Sequence, residues 1–289
     1  MASYGGYIVP DFIGIGPGRT GKCWLHAVLS SRARLPSQTR ETRFFAQHYG
    51  RGLEWYSRQF EHRNGDAPIG ELCAYFGYPE ASVRIREHSP ECRIFCTLRD
   101  PVDRAYAYYQ LLRCGMFTKL EFVEAVRHDR WIVEENRYAS HLRRWFEAFG
   151  RENVLVTFYE DLCAAPQSYV DSICRFVRLS PIDLSSVTVN HVCYHSFERL
   201  PRNPWLARKA RKLRGWLRRH RADPLIRVLE RTGVWTFCAG RGEQFPPITP
   251  RVDAEVRAIF RPEVEELEEV LGRDLSQWKV PRTESVMVR

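Results

Sequence analysis

The stretch Gly16-Pro17-Gly18-Arg19-Thr20-Gly21-Lys22 sets two cations among three glycines, and that combination can hold an anion. Glycines let backbone N–H groups close on a phosphate or sulfate, and the N-terminus of a following helix adds partial positive charge. Arg19 and Lys22 supply the full charges that the backbone lacks. Arg99 stands directly after the apolar run Cys92-Arg-Ile-Phe-Cys-Thr-Leu98, and ligands of open α/β sheets bind beyond the carboxyl ends of their strands. A guanidinium there can grip a phosphate through two hydrogen bonds. Glu41, in Arg40-Glu-Thr-Arg43-Phe-Phe45, is the candidate to accept a proton. Together these residues point to chemistry at the phosphate or sulfate end of a nucleotide.

Such groups need a scaffold, and the hydrophobic pattern predicts one. Apolar runs predict strands at 7–15, 92–98 and 153–158. Amphipathic segments predict helices near 22–32, 51–60, 79–88, 101–114, 134–149, 166–178, 204–231 and 251–271. Helices alternating with short apolar strands imply an α/β fold, a three-layer, P-loop-like arrangement whose mainly parallel central sheet is covered by helices. At 289 residues and 44% hydrophobic content, one domain over 1–280 can bury a full core. Residues 281–289 read as a loose tail. No run of about 18 apolar residues suggests a membrane span, and no secretory signal is visible, so a cytoplasmic protein is expected. The nine cysteines are odd in number and lack a C-x-x-C pair, which predicts reduced thiols and no metal site.

Two kinds of anion loop compete for the first motif. Gly16 to Lys22 satisfies G-x-x-x-x-G-K, yet Cys23 stands where a nucleotide-hydrolysing P-loop needs a hydroxyl for Mg²⁺, and hard cations prefer oxygen. A phosphotransferase of that kind would take Asp100 or Asp161 as metal ligand. The same stretch resembles the 5′-phosphosulfate loop of sulfotransferases that use 3′-phosphoadenosine-5′-phosphosulfate (PAPS), whose pattern is Pro-Lys/Arg-x-Gly-Thr-Thr-x-Leu. Arg19, Gly21 and Leu25 fit it; Gly18, Lys22 and Cys23 depart from it.

The second strand favours the sulfotransferases. Leu98-Arg99-Asp100-Pro101-Val-Asp-Arg104-Ala105 is similar to their 3′-phosphate element, Arg-Asp/Asn-Pro-x-x-Arg-Ala, although its expected serine is Ala107 here. Arg40-Glu41-Thr-Arg-Phe44-Phe45 with Gly52-x-x-Trp55-Tyr56 resembles the Lys-Glu-x-x-Phe-Phe block of the heparan-sulfate branch. Gly70-Glu71 with Tyr75-Phe76 resembles that branch's substrate segment without its Lys and Pro. Tyr138 to Phe149, Val154 to Leu162 and Leu271 to Trp278 match later blocks in the same order. The chain is identified as a member of the PAPS-dependent sulfotransferases, of the soluble bacterial kind related to the heparan-sulfate enzymes.

That resemblance implies PAPS as co-substrate, no metal, and sulfuryl transfer to a hydroxyl of a carbohydrate or small molecule. It implies Glu41 as catalytic base, with Arg19 and Lys22 at the departing phosphate. The implied nucleotide contacts are Gly18, Arg19, Thr20, Gly21, Lys22, Cys23, Trp24, Arg99, Ala107, Tyr138, Gly240 and Arg241. His191 and His195 are alternative bases, and Trp55 either fills the core or lines the acceptor pocket. One feature lies outside these motifs. Arg199 to Arg221 holds ten Arg/Lys and no Asp/Glu, which localises the whole net charge of +9. This amphipathic segment reads as a docking face for an anionic acceptor, a peripheral membrane contact, or a solvated face. Nucleic acid is not expected as a partner, since no reader motif accompanies it. A non-catalytic anion-binding relative stays open, given Lys22, Cys23 and Ala107, and the oligomeric state is not specified.

Overall fold

The computed structural model describes residues 3–60, 67–115, 117–187, 199–200, 202–219, 229 and 242–287. A short antiparallel pair, β1 (Ser3–Tyr4) and β2 (Tyr7–Ile8), precedes the main sheet. That sheet is built from β3 (Phe12–Gly14), β4 (Gly70–Leu72), β5 (Arg93–Leu98) and β6 (Val154–Phe158), in the order β4-β3-β5-β6. All three pairings are parallel, with Phe12 opposite both Gly70 and Arg93, and Ile94 opposite Val154. The parallel α/β architecture read from the sequence is the one observed.

The two faces of this sheet build separate cores because side chains alternate along each strand. Ile13, Ile94 and Cys96 point into a cluster with Phe44, Tyr56, Phe76 and Trp145. Phe12 and Phe95 point the other way, against Leu25, Val28, Leu72 and Ile173. Burial on both faces is why β5 reads as an uninterrupted apolar run.

The helices are α1 (Lys22–Leu29), α2 (Gly52–Ser57), α3 (Pro79–His88), α4 (Pro101–Cys114), α5 (Phe122–His128), α6 (Arg130–Glu134), α7 (Tyr138–Phe149), α8 (Tyr159–Ala164), α9 (Pro166–Val177), α10 (Pro204–Arg219) and α11 (Pro250–Leu271). Proline at the first turn and an acidic cap start several of them where expected. Asp100 accepts the Val102 N–H at 2.9 Å ahead of Pro101 in α4.

Three expectations change. The helix predicted over 134–149 starts later, as α7 at Tyr138, after a separate α6 that ends at Glu134; Asn136 between them is buried and serves as a polar anchor. It takes the Arg104 guanidinium on its oxygen and donates to the Pro101 carbonyl at 3.3 Å. Strand β4 was not anticipated: three residues carrying a glycine and a glutamate lack an apolar signature. Of the predicted loose tail, residues 281–287 are tied down. Arg282 pairs with Asp103 at 2.8 Å and Asp100 at 3.4 Å, and Val286 bonds reciprocally with Ile248. Helix α10 covers 204–219 of the predicted 204–231, and most of the remainder lies outside the described residues. No helix among the described residues is long and apolar enough to cross a membrane.

Candidate active site

β3 ends at Gly14, and α1 begins at Lys22. The turn between them is held by its own polar groups. Thr20 Oγ1 donates to the Pro17 carbonyl at 2.9 Å, and Lys22 Nζ donates to the carbonyls of Gly16 and Pro17, each at 2.8 Å. Arg19 and Gly21 both adopt the left-handed region, with φ of 74° and 87°. At position 21 only glycine is comfortable, since a Cβ there would also lie 2.9 Å from Leu162. Gly16 passes so close to β5 that a Cβ would meet the Thr97 backbone at 3.1 Å. The loop is thereby pressed onto the end of the strand that delivers Arg99.

Arg99 and Arg19 converge. The Arg99 Nη1 donates to the Arg19 carbonyl at 3.2 Å, and its guanidinium lies 4.4 Å from the Tyr159 ring centre. Burial, and then the like charge of Arg99, push the Arg19 guanidinium below its ordinary value. Arg19 in the loop after β3 and Arg99 at the end of β5 bring two positive charges near one another beside the glycine turn, and these residue types fit the phosphate groups of a nucleotide.

The base of the Arg99 element is a buried ion cluster. Asp100 takes Arg257 at 2.9 Å and Arg282 at 3.4 Å on one oxygen, and Arg257 also holds Asp253 at 2.7 Å. Burial raises the Asp100 carboxyl above its usual range, against the pull of both arginines. Glu160 accepts the Asp100 N–H at 2.9 Å, and its own carboxyl is raised by burial.

A cleft of about 400 Å³ is lined by Gly18, Arg19, Gly21, Lys22, Cys23, Trp24 and Arg99, together with Glu41 and Arg43. Glu41 pairs with Arg43 at 3.7 Å, and its side chain remains 29% exposed, so it can be reached from the cleft. The loop carrying it is anchored one residue later. Thr42 donates its N–H and its hydroxyl to Glu71 at 2.8 and 2.6 Å, and the Tyr56 hydroxyl donates to the other Glu71 oxygen at 3.0 Å. Glu71 is fully buried, and burial raises its carboxyl above the ordinary value, with the Thr42 and Tyr bonds opposing that rise.

Not every predicted residue reaches the cleft. Thr20 is fully buried and serves the loop turn. Ala107 packs in an apolar cluster with Val102 and Phe122, and its neighbour Tyr108 faces the cleft instead. Tyr138 is buried and donates to the Arg99 carbonyl at 3.0 Å, so it braces that arginine from behind. Trp55 packs against Phe44 and is absent from the cleft lining. Gly240, Arg241, His191 and His195 lie outside the described residues. Conversely, Tyr78, Trp131, Glu135 and Tyr159 line the cleft without having been singled out. Of these, only Tyr159 carried a signal, its place directly after a predicted strand.

Comparison with known proteins agrees with this geometry. A sequence model of the sulfotransferase domain matches residues 9–224. The bifunctional heparan sulfate N-deacetylase/N-sulfotransferase 4 of Mus musculus is 27% identical over 197 residues, 60% of this chain and 23% of that protein. The corresponding enzyme 3 of Homo sapiens is 28% identical over the same shares. The chain thus spans about a quarter of the length of these relatives. Among solved structures, a sulfotransferase from Alicyclobacillus acidocaldarius superposes with a TM-score of 0.67 at 21% identity, covering 94% of this chain and all of that one, and so shares the fold. With three quarters of its length inside that domain, the chain belongs to the sulfotransferase family, the PAPS-dependent family that its two anion-binding motifs resemble.

Proposed function

We propose that the protein moves a sulfuryl group in line from PAPS to a hydroxyl of a carbohydrate or small-molecule acceptor, with Glu41 as general base. The observation that carries this reading is the gathering of Arg19, Lys22, Arg99 and Glu41 around one cleft. In sulfuryl transfer, negative charge grows on the departing phosphate as the acceptor loses its proton. Arg19 stays protonated, so it stabilises that charge by attraction and hydrogen bonding rather than by donating a proton. Lys22 uses two of its three N–H donors on loop carbonyls, which leaves one for the phosphate. Each well-placed donor of this kind lowers the barrier by about 3 kcal/mol. Glu41, exposed to the cleft, takes the acceptor proton.

An amine acceptor is the second reading, since the relatives above are named N-sulfotransferases; the linkage of the product separates the two. Outside the loop and Arg99, the described charged groups lining the cleft are Glu41, Glu135 and Arg43. An anionic acceptor would therefore draw its counter-charge from elsewhere, and the basic 199–221 segment is the candidate.

Thermal-shift titration tests the donor. Adenosine 3′,5′-bisphosphate at a hundredfold excess over Kd should stabilise the protein by about 2.7 kcal/mol, and Arg99→Ala should abolish most of that. Stabilisation by ATP–Mg²⁺ but not by the bisphosphate would refute the donor assignment and favour phosphoryl transfer.

A further inference from the structure

Glu135 already holds a donor of the anion loop. Its Oε2 accepts the Gly18 N–H at 3.2 Å, across 117 residues of chain. It lies in the same cleft as Arg19, Lys22 and Arg99. The segment that delivers it is firmly built. Arg104, fully buried, donates to the Ile132 carbonyl at 2.8 Å and to Asn136, while Asn136 donates back to Pro101. The Glu135 N–H bonds the Trp131 carbonyl at 3.2 Å, which sets Glu135 and Trp131 on the same face of the α6 turn. Both side chains line the cleft. The second arginine of the Arg99–Arg104 motif thus serves to aim a carboxylate at the first motif.

A backbone N–H has one hydrogen to give, and the 5′ group of a nucleotide seated in a glycine loop needs such N–H groups. We propose that Glu135 is a built-in competitor for the donor's 5′ group, a residue that sets donor affinity by holding the Gly18 N–H until that group displaces it. The displaced carboxylate stays in the cleft that Trp131 and Glu41 also line. Donor entry and the electrostatics of the rest of the cleft are coupled through one side chain. This inference rests on the reading that the loop receives the 5′ end of PAPS.

The test compares two ligands that differ only at that end. Calorimetric titration of the wild type, Glu135→Gln and Glu135→Ala is carried out with adenosine 3′,5′-bisphosphate and with adenosine 3′-monophosphate. Glu135→Ala, which removes the acceptor, should tighten the bisphosphate by about tenfold or more, the factor carried by one hydrogen bond to a charged group, and Glu135→Gln, whose amide oxygen still accepts the N–H but carries no charge, should tighten it by less. The 3′-monophosphate, which lacks the 5′ group, should bind all three proteins alike. Glu135→Gln keeps the size of the side chain and so guards against a folding defect. Weaker bisphosphate binding in both variants would overturn the proposal and make Glu135 a brace for the loop. Equal affinities in all three proteins would overturn it while leaving the donor assignment intact. Failure of every protein to bind the bisphosphate would overturn both.

Discussion

Removing the Glu71 carboxylate should loosen the loop that carries Glu41 while leaving the anion loop untouched. Glu71 is fully buried and receives the Thr42 N–H, the Thr42 hydroxyl and the Tyr56 hydroxyl. In Glu71→Ala the Thr42 hydroxyl can turn to Tyr75, 3.3 Å away, but the Thr42 N–H and the Tyr56 hydroxyl are stranded. Two stranded buried donors at about 1–3 kcal/mol each give a loss of roughly 2–6 kcal/mol, or a fall in Tm of roughly 3–10 °C for a chain of this size. Glu71→Gln should lose far less, because its oxygen still accepts from Thr42 while its amide donates to the rotatable Tyr56 hydroxyl. The pair also isolates a pH effect. The Glu71 carboxyl is raised in the folded protein, chiefly by burial, so its folded form binds a proton more tightly than its unfolded form. Its contribution to stability is full below the ordinary glutamate value of 4.5 and is lost as pH rises through the raised value. Scanning calorimetry from pH 7 downward should therefore show a gain from this group in the wild type that Glu71→Gln lacks. Turnover should fall in Glu71→Ala with bisphosphate affinity retained. An unchanged Tm in Glu71→Ala, or a loss of bisphosphate binding equal to the loss of turnover, would refute the reasoning.

Glu41→Gln should lower kcat by about 10²–10⁴-fold and leave bisphosphate affinity nearly intact by calorimetry; near-normal turnover would move the role of base to another group. Reversing Arg208, Arg211 and Arg218 to Glu together should raise the acceptor KM, most steeply at low salt if the segment acts through charge, since salt screens such attraction over about 8–10 Å. Loss of binding to anionic vesicles alone would instead assign the segment to a membrane surface, and no change in either would leave it a solvated face.

The glycine turn after β3 and the strand-to-helix turn at Arg99 were legible because each is a local device. A strand, its turn and the next helix start lie within about fifteen residues, and the glycines, Pro101 and the capping Asp100 each enforce a backbone geometry that a sequence displays. The same holds for β5 and β6, whose burial on both faces writes an apolar run. What the letters could not show was burial that depends on a distant partner. Arg99 and Arg104 stand equal in the motif, yet Arg99 lies along the cleft, whereas Arg104 is wholly inside and spends its bonds on Ile132 and Asn136. Tyr138 read as a nucleotide contact because it sits in a matching block, but its hydroxyl is used on the Arg99 carbonyl.

The same reasoning explains why the far end of the chain escaped notice. Arg257 lies 157 residues from Asp100, and Arg282 lies 182 from it, and both converge on one carboxylate oxygen. Nothing in a basic residue near a terminus signals that its partner is an aspartate capping a helix in another part of the fold. The consequence is functional as well as structural. Asp100 caps α4 and adjoins Arg99 in the chain, so α11 and the 281–287 segment fix the backbone from which the Arg99 guanidinium is projected. Removing either arginine would leave a buried carboxylate short of a partner, and a charge stranded in this way costs more than the pair contributes when intact. The helix cap visible in the sequence is thus only half of the device; the other half is the C-terminal pair of arginines that makes a buried aspartate tolerable there.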